Sequence, residues 1–137
     1  MRSLSLIFSI LLCVTAAEAA DLTVVVSNIK SAQGKVRVAL YNYAQGFPDQ
    51  SCLWCQLLPA RAGSVKVVFI DLPPGDYAVS AYHDINNNAK LDTNFAGVPI
   101  ESYGFSLGAR GIFGPPSFAN ARFEIGVQAV TEEVKLK

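Results

Sequence analysis

Residues 65–82 read VKVVFIDLPPGDYAVSAY, and this stretch decides the fold. Val65, Val67 and Phe69 alternate with Lys66, Val68 and Ile70. After the turn signal Pro73-Pro74-Gly75-Asp76, Tyr77, Val79 and Ala81 alternate with Ala78, Ser80 and Tyr82. Successive side chains of a strand point to opposite faces, so a period of two reads as a half-buried strand. Two such runs punctuated by Pro and Gly are β-structure, because neither residue extends a helix or a central strand.

The same pattern recurs outward in both directions. Leu22-Thr23-Val24-Val25-Val26 is rich in β-branched residues, and Val36, Val38 and Leu40 alternate with Arg37, Ala39 and Tyr41. Phe123, Ile125 and Val127 form another face, and Val134 and Leu136 a short last one. Gln33-Gly34 and Ala62-Gly63-Ser64 separate runs as further turn signals. No stretch carries a helical period, and there are no repeats. The expectation is an all-β chain, an antiparallel β-sandwich of about six to eight strands. Its expected core comprises Val36, Val38, Leu40, Val65, Val67, Phe69, Tyr77, Val79, Phe123, Ile125 and Val127.

Two segments break the pattern. Tyr43 to Ala62 holds Gly46-Phe47-Pro48 and two cysteines, and Asp84 to about Asn120 follows the Tyr77 strand as one long loop. A connection that long in a compact domain is usually functional or disordered. The aromatic residues Phe95, Tyr103, Phe105, Phe113 and Phe118 argue for order, since disordered segments are poor in rings. Either a bound cation or burial of those rings would order it.

The first 19 residues read as a secretory signal peptide, with Arg2, an apolar run from Leu4 to Val14, and small residues Ala17 and Ala19 before the cut. The run is too short to span a bilayer, which needs about 20 residues. Leu12 before Cys13 does not suit lipoprotein processing, which wants a small residue there. Residues 20–137 then form one domain of about 118 residues, enough to bury a core unaided. A periplasmic or secreted location is expected. The 11 Lys and Arg balance the 11 Asp and Glu. No basic stripe suits nucleic acid, and no polybasic patch suits a membrane surface after the signal is removed.

Chemistry concentrates in Asp84-Ile85-Asn86-Asn87-Asn88-Ala89-Lys90-Leu91-Asp92. Oxygen-bearing side chains at alternate positions are the ligand rhythm of a calcium loop. The candidate Ca²⁺ ligands are Asp84, Asn86, Asn88, the Lys90 carbonyl and Asp92, with Glu101 folding back as the bidentate group. Ala89 replaces the glycine of such loops, and Phe95 stands where the acid should, so a weak site is expected. The competing reading is an Asx-rich turn whose side chains cap their own backbone.

The remaining motifs are quieter. Cys52 and Cys55 are expected to form a disulfide in an oxidising compartment. A thioredoxin-like role would need a helix after the first cysteine, and strand patterns and Pro59 surround this pair. A zinc site would need two more ligands, and His83 is the single histidine. A hydrolase could be assembled from His83, Ser80 or Ser106 and a carboxylate, or from two of Asp84, Asp92 and Glu101 as acid and base, but no nucleophile elbow accompanies them. The rings from Phe95 to Phe118 could form a platform for a glycan or a peptide, or pack the loop onto the sandwich.

GKVRVALY (Gly34 to Tyr41), FIDLPPGDYAV (Phe69 to Val79), HDINNNAKLDTNFAGVPIESYGFS (His83 to Ser106), GPPSF and the Ala121-Arg122-Phe123 strand together resemble a bacterial exported family, the domain of unknown function numbered 2141. The resemblance implies a small exported β-sandwich, transthyretin-like or immunoglobulin-like in look, and no established activity. Two features depart from it. Asn88-Ala89 stands where the family usually has Asn-Gly, and the Cys52-Leu53-Trp54-Cys55 insert is not a family feature. The functional expectation is a non-catalytic accessory or binding module, with an unknown protein or glycan as partner.

Overall fold

The computed structural model describes Leu12, Cys13, residues 18–49, Cys52 and residues 54–137. The expected leader lies mostly outside the described residues. Among the described residues no helix is long and apolar enough to cross a membrane.

Among the described residues eight strands form two facing sheets. They are β1 (Ala20–Ile29), β2 (Lys35–Tyr41), β3 (Trp54–Pro59), β4 (Gly63–Leu72), β5 (Gly75–Asp84), β6 (Tyr103–Phe105), β7 (Phe123–Ile125) and β8 (Val130–Lys135). The smaller sheet runs β4-β1-β8, and the larger runs β3-β2-β5-β6, with β7 also paired to β5. The expected all-β sandwich is what the chain adopts.

The quoted stretch supplies one strand to each sheet. β4 pairs with β1, whereas β5 pairs with β2. Pro73 and Pro74 stand between them and have no N–H to extend either ladder, so the chain leaves one sheet and enters the other. The Tyr77 hydroxyl donates to the Pro73 carbonyl at 2.6 Å and holds this crossing.

The core follows the alternation. Leu22, Val24 and Val26 of β1 meet Val36, Val38 and Leu40 of β2, Val67 and Phe69 of β4, Tyr77 and Val79 of β5, and Ile125 and Val134. Burying a side chain of this size is worth about 1.5–3 kcal/mol, which makes these residues the main favourable term. Val65 and Phe123 pack against the core while half-buried.

Three expectations need correction. Val127 is 58% exposed, because β7 ends at Ile125 and the chain leaves the sheet before the alternation reaches it. The pairing is not antiparallel throughout, since β8 runs parallel to β1 from Leu22↔Val130 to Ser27↔Lys135. The segment Tyr43 to Ala62 is not strandless, as it contains β3, an edge strand ending at Pro59 where no ladder N–H is required.

The segment after β5 is ordered. It contributes β6, a tight turn at Ser106–Gly108 and a one-turn helix α1 (Phe118–Ala121). Phe105, Ala121 and Ala78 form a second small core on the outer face of the larger sheet, with Phe47, Tyr103 and Phe118 packed on it. Phe47 lies edge-on to Tyr41, Phe105 and Phe118 at 5.2, 5.9 and 5.9 Å between ring centres. Ring burial thus accounts for Tyr103, Phe105 and Phe118, whereas Phe95 and Phe113 are fully exposed.

Candidate functional site

The outer face of the larger sheet is only half covered, and its open half is the floor of a groove. Cross-strand register sets that floor. Arg37 of β2 lies opposite Tyr82 of β5, and Tyr82 lies opposite Tyr103 of β6. The next row on the same face is Cys55, Ala39, Ser80 and Phe105. Short side chains at Ala39 and Ser80 leave a notch in this second row, beside the larger Arg37, Tyr82 and Tyr103 of the first.

The long loop forms the walls. Residues 89–91, 96–99 and 111–115 enclose a groove of about 1180 Å³ with that floor. Val98, Ile112 and Phe113 stand exposed at its mouth. The Cys52–Cys55 disulfide, formed as expected, lies at the β3 side. The strand that begins at Trp54 leaves no helix after Cys52 of the kind a thioredoxin-like site uses. A smaller cavity of about 240 Å³ shares Tyr103, Phe105, Gly111 and Gly114 with the groove and is lined by Arg110, Lys135 and Lys137.

The groove floor is polar at one place. The Arg37 guanidinium stands across the strand pair from the Tyr82 phenol and bears on its titration. Burial pushes the Tyr82 pKa up, and Arg37 opposes that rise. Burial likewise raises Tyr41, with a hydrogen bond from Ser80 opposing it and Asp49 reinforcing it. The Tyr41 hydroxyl donates to the Pro48 carbonyl at 2.7 Å. Both phenols therefore stay neutral well above pH 7. Among the described residues the one ion pair is Arg122 with Asp76, so Arg37 faces the groove without a carboxylate in contact.

The candidate calcium loop forms the start of the groove wall, and its carboxylates serve its own backbone. Asp84 is buried, and its two oxygens accept from the Asn88 and Ala89 N–H groups at 3.1 and 2.9 Å. Glu101 does fold back to the loop. One oxygen accepts from Ile85 N–H and the other from Asp92 N–H, both at 3.0 Å. Asn86 and Asn88 donate their amides to the two oxygens of Asp92 at 2.6 and 2.7 Å, and the Asn88 side-chain oxygen accepts from Lys90 N–H at 3.0 Å. Ala89 adopts φ 62°, the left-handed conformation that favours glycine. Among the described residues no three His, Cys, Asp or Glu side chains gather as a metal-holding group.

His83 belongs to neither wall nor floor. It is fully buried on the inner face of β5, while Ser80 and Tyr82 point outward from the same strand. Its Nε2 donates to the Gln33 carbonyl at 2.6 Å, and its Nδ1 is buried without a hydrogen-bond partner. It thus pins the β1–β2 turn against the start of the long loop. Gly34 in that turn has φ 73°, and a Cβ there would land on the Asp84 carbonyl. Ser106, the other serine considered, is buried elsewhere, where it donates to the Ala121 carbonyl at 2.6 Å and accepts from Val79 N–H at 2.9 Å.

Residues 24–133 match the family model described as "Uncharacterized protein conserved in bacteria (DUF2141)". The chain belongs to this family. No curated protein and no solved structure matches it. The DUF2141 segment reaches from β1 into β8, so it contains the whole groove floor and all of its walls.

Reasoning from sequence found the wall but missed the floor. Arg37 and Tyr82 read there as ordinary outward residues of alternating strands, and Ser80 only as a candidate hydrolase serine. The signal that could have found them is the size of the loop, since a segment of some 35 residues must cover some face of the sandwich.

Proposed function

We propose that this DUF2141 chain is an exported, non-catalytic binding module that holds its ligand in the groove between the outer sheet face and the long loop. The observation that carries this reading is the exposed apolar mouth, Val98, Ile112 and Phe113, over a concave floor of aromatic and small side chains in which Arg37, Ser80 and the tyrosines place the polar groups. Concave, mostly apolar sites with a small number of placed polar groups are the usual form of a ligand site. The burial of His83 speaks against the hydrolase alternative, because His83 and Ser80 leave β5 on opposite faces. The strand context of Cys55 speaks against the thiol–disulfide alternative.

Calcium enters the same proposal as a stabiliser of the wall. Asp84, Asn86, Asn88, the Lys90 carbonyl, Asp92 and Glu101 would hold it. Asn86 and Asn88 would turn their amide oxygens inward, and Asp84 and Glu101 would share their oxygens with four N–H groups. Those competing demands put the affinity at the weak end, with Kd about 10⁻⁴–10⁻³ M.

The test is a ligand panel of short oligosaccharides, peptides and small organic molecules, followed by backbone amide chemical shifts. Perturbations gathered at Tyr82, Tyr103 and residues 111–114 are expected. Shifts confined to other surfaces, or turnover of a panel member, would overturn the reading.

A further inference from the structure

Resting on the groove reading, the geometry points to a ligand of one chemical class: a small free carboxylic acid with an apolar body, its carboxylate on Arg37 and its body between Phe113, Val98 and the aromatic floor. Arg37 is the cation on the floor that such an acid would meet. It is half-buried on the floor, it stands beside Tyr82 as its cross-strand partner, and no carboxylate among the described residues forms an ion pair with it. Asp84 and Glu101 are close enough to bear on Tyr82, but all four of their oxygens hold backbone N–H groups of the wall. Among the described residues Asp49 is the one acid that lines the groove, and Lys90 lines it together with Arg37. Arg110, Lys135 and Lys137 on the adjoining cavity carry the same sign as Arg37.

A guanidinium presents its donors as a planar fork that matches a carboxylate. Tyr82 stands beside that fork across the strand pair, and the Ser80 hydroxyl belongs to the next row of the floor. The notch at Ala39 and Ser80 gives a flat or slender body room beside the fork. The walls offer Leu91, Val98, Ile112 and Phe113, which suit hydrocarbon rather than further charge.

The experiment uses a matched pair on the full chain, 4-phenylbutyrate and 4-phenylbutanol, read by calorimetry and by amide shifts. The acid should bind about tenfold more tightly than the alcohol, the usual worth of hydrogen bonds to a charged group. Arg37→Gln should abolish that preference while leaving alcohol binding in place, which also shows that the variant is folded. Arg37→Lys should restore part of it. Equal binding of acid and alcohol to the parent chain would overturn the carboxylate assignment and leave the groove reading standing, as would binding of other panel members at the groove with neither of these two. Binding of acetyl-Leu-Phe with a free C-terminus, but not of the free acids, would overturn the small-molecule occupant. Failure of every compound to perturb the groove would overturn both.

Discussion

Ala89 shows how one residue can hold a loop together at a cost. Its φ of 62° places a Cβ in the left-handed region, where a non-glycine residue is strained by about 1–2 kcal/mol. The strain persists because Asp84 accepts the Ala89 and Asn88 N–H groups together, and both bonds need this turn. Ala89→Gly should therefore stabilise the chain by about 1 kcal/mol, after the added freedom of glycine in the unfolded state is subtracted. The readout is a melting temperature higher by about 4 °C. An unchanged or lower melting temperature would mean that the turn is not strained. Arg37 illustrates the opposite case, a residue whose role no local reading can reach. In VRVAL it is a polar residue at an outward position, and only the pairing with Tyr82 and the return of the loop place it inside a groove.

At the scale of elements, legibility tracked the strength of the period-two signal. β1, β2, β4 and β5 were plain because apolar residues alternate over their full length. β3 was hidden because Trp54 and Leu58 are separated by Gln56, and Leu57 is half exposed on the other face. β6 has three residues, too few for any period to register. The disulfide beside β3 closes a loop so short that its removal should cost only about 2 kcal/mol. Reduced chain should remain folded with a lower melting temperature, and a mass higher by two protons should accompany the shift. Loss of all native structure on reduction would contradict this. The loop from Asp84 to Asp92 gives a second test. If Ca²⁺ joins the wall, about 10 mM of the ion, some ten times the weak end of the expected Kd, should stabilise the chain by about 1.4 kcal/mol. Mg²⁺ should do much less, because it sheds water reluctantly and demands a tighter octahedron. Melting curves that coincide in chelator and in Ca²⁺ would leave the loop as a hydrogen-bonded turn alone.

The whole molecule is two buried layers that share the larger sheet. The inner layer between the sheets was legible as alternation, although the parallel partnership of β1 and β8 was not, since strand direction depends on the path of the chain between them. The outer layer, under the long loop, was not legible, because Phe47, Phe105 and Phe118 come from three separate segments. Each layer holds a tyrosine that reports on it. Tyr77 lies in the inner core, and Tyr41 lies against Phe47 of the outer layer; burial raises both above the ordinary phenol value of 10.0. The unfolded chain loses these protons near that ordinary value, while the folded chain holds them to higher pH. Below about pH 10 both states are protonated and the full stability is present. As pH rises from there through the folded values, the unfolded state binds fewer protons than the folded one, so stability falls. The melting temperature should accordingly be flat from about pH 8 to pH 10 and drop above it. Phenolate absorbance should appear together with unfolding for Tyr77. Ionisation of Tyr77 and Tyr41 near the ordinary phenol value, resolved from the exposed Tyr43 by ring chemical shifts in a chain that keeps its full amide protection, would show that neither layer shields its tyrosine.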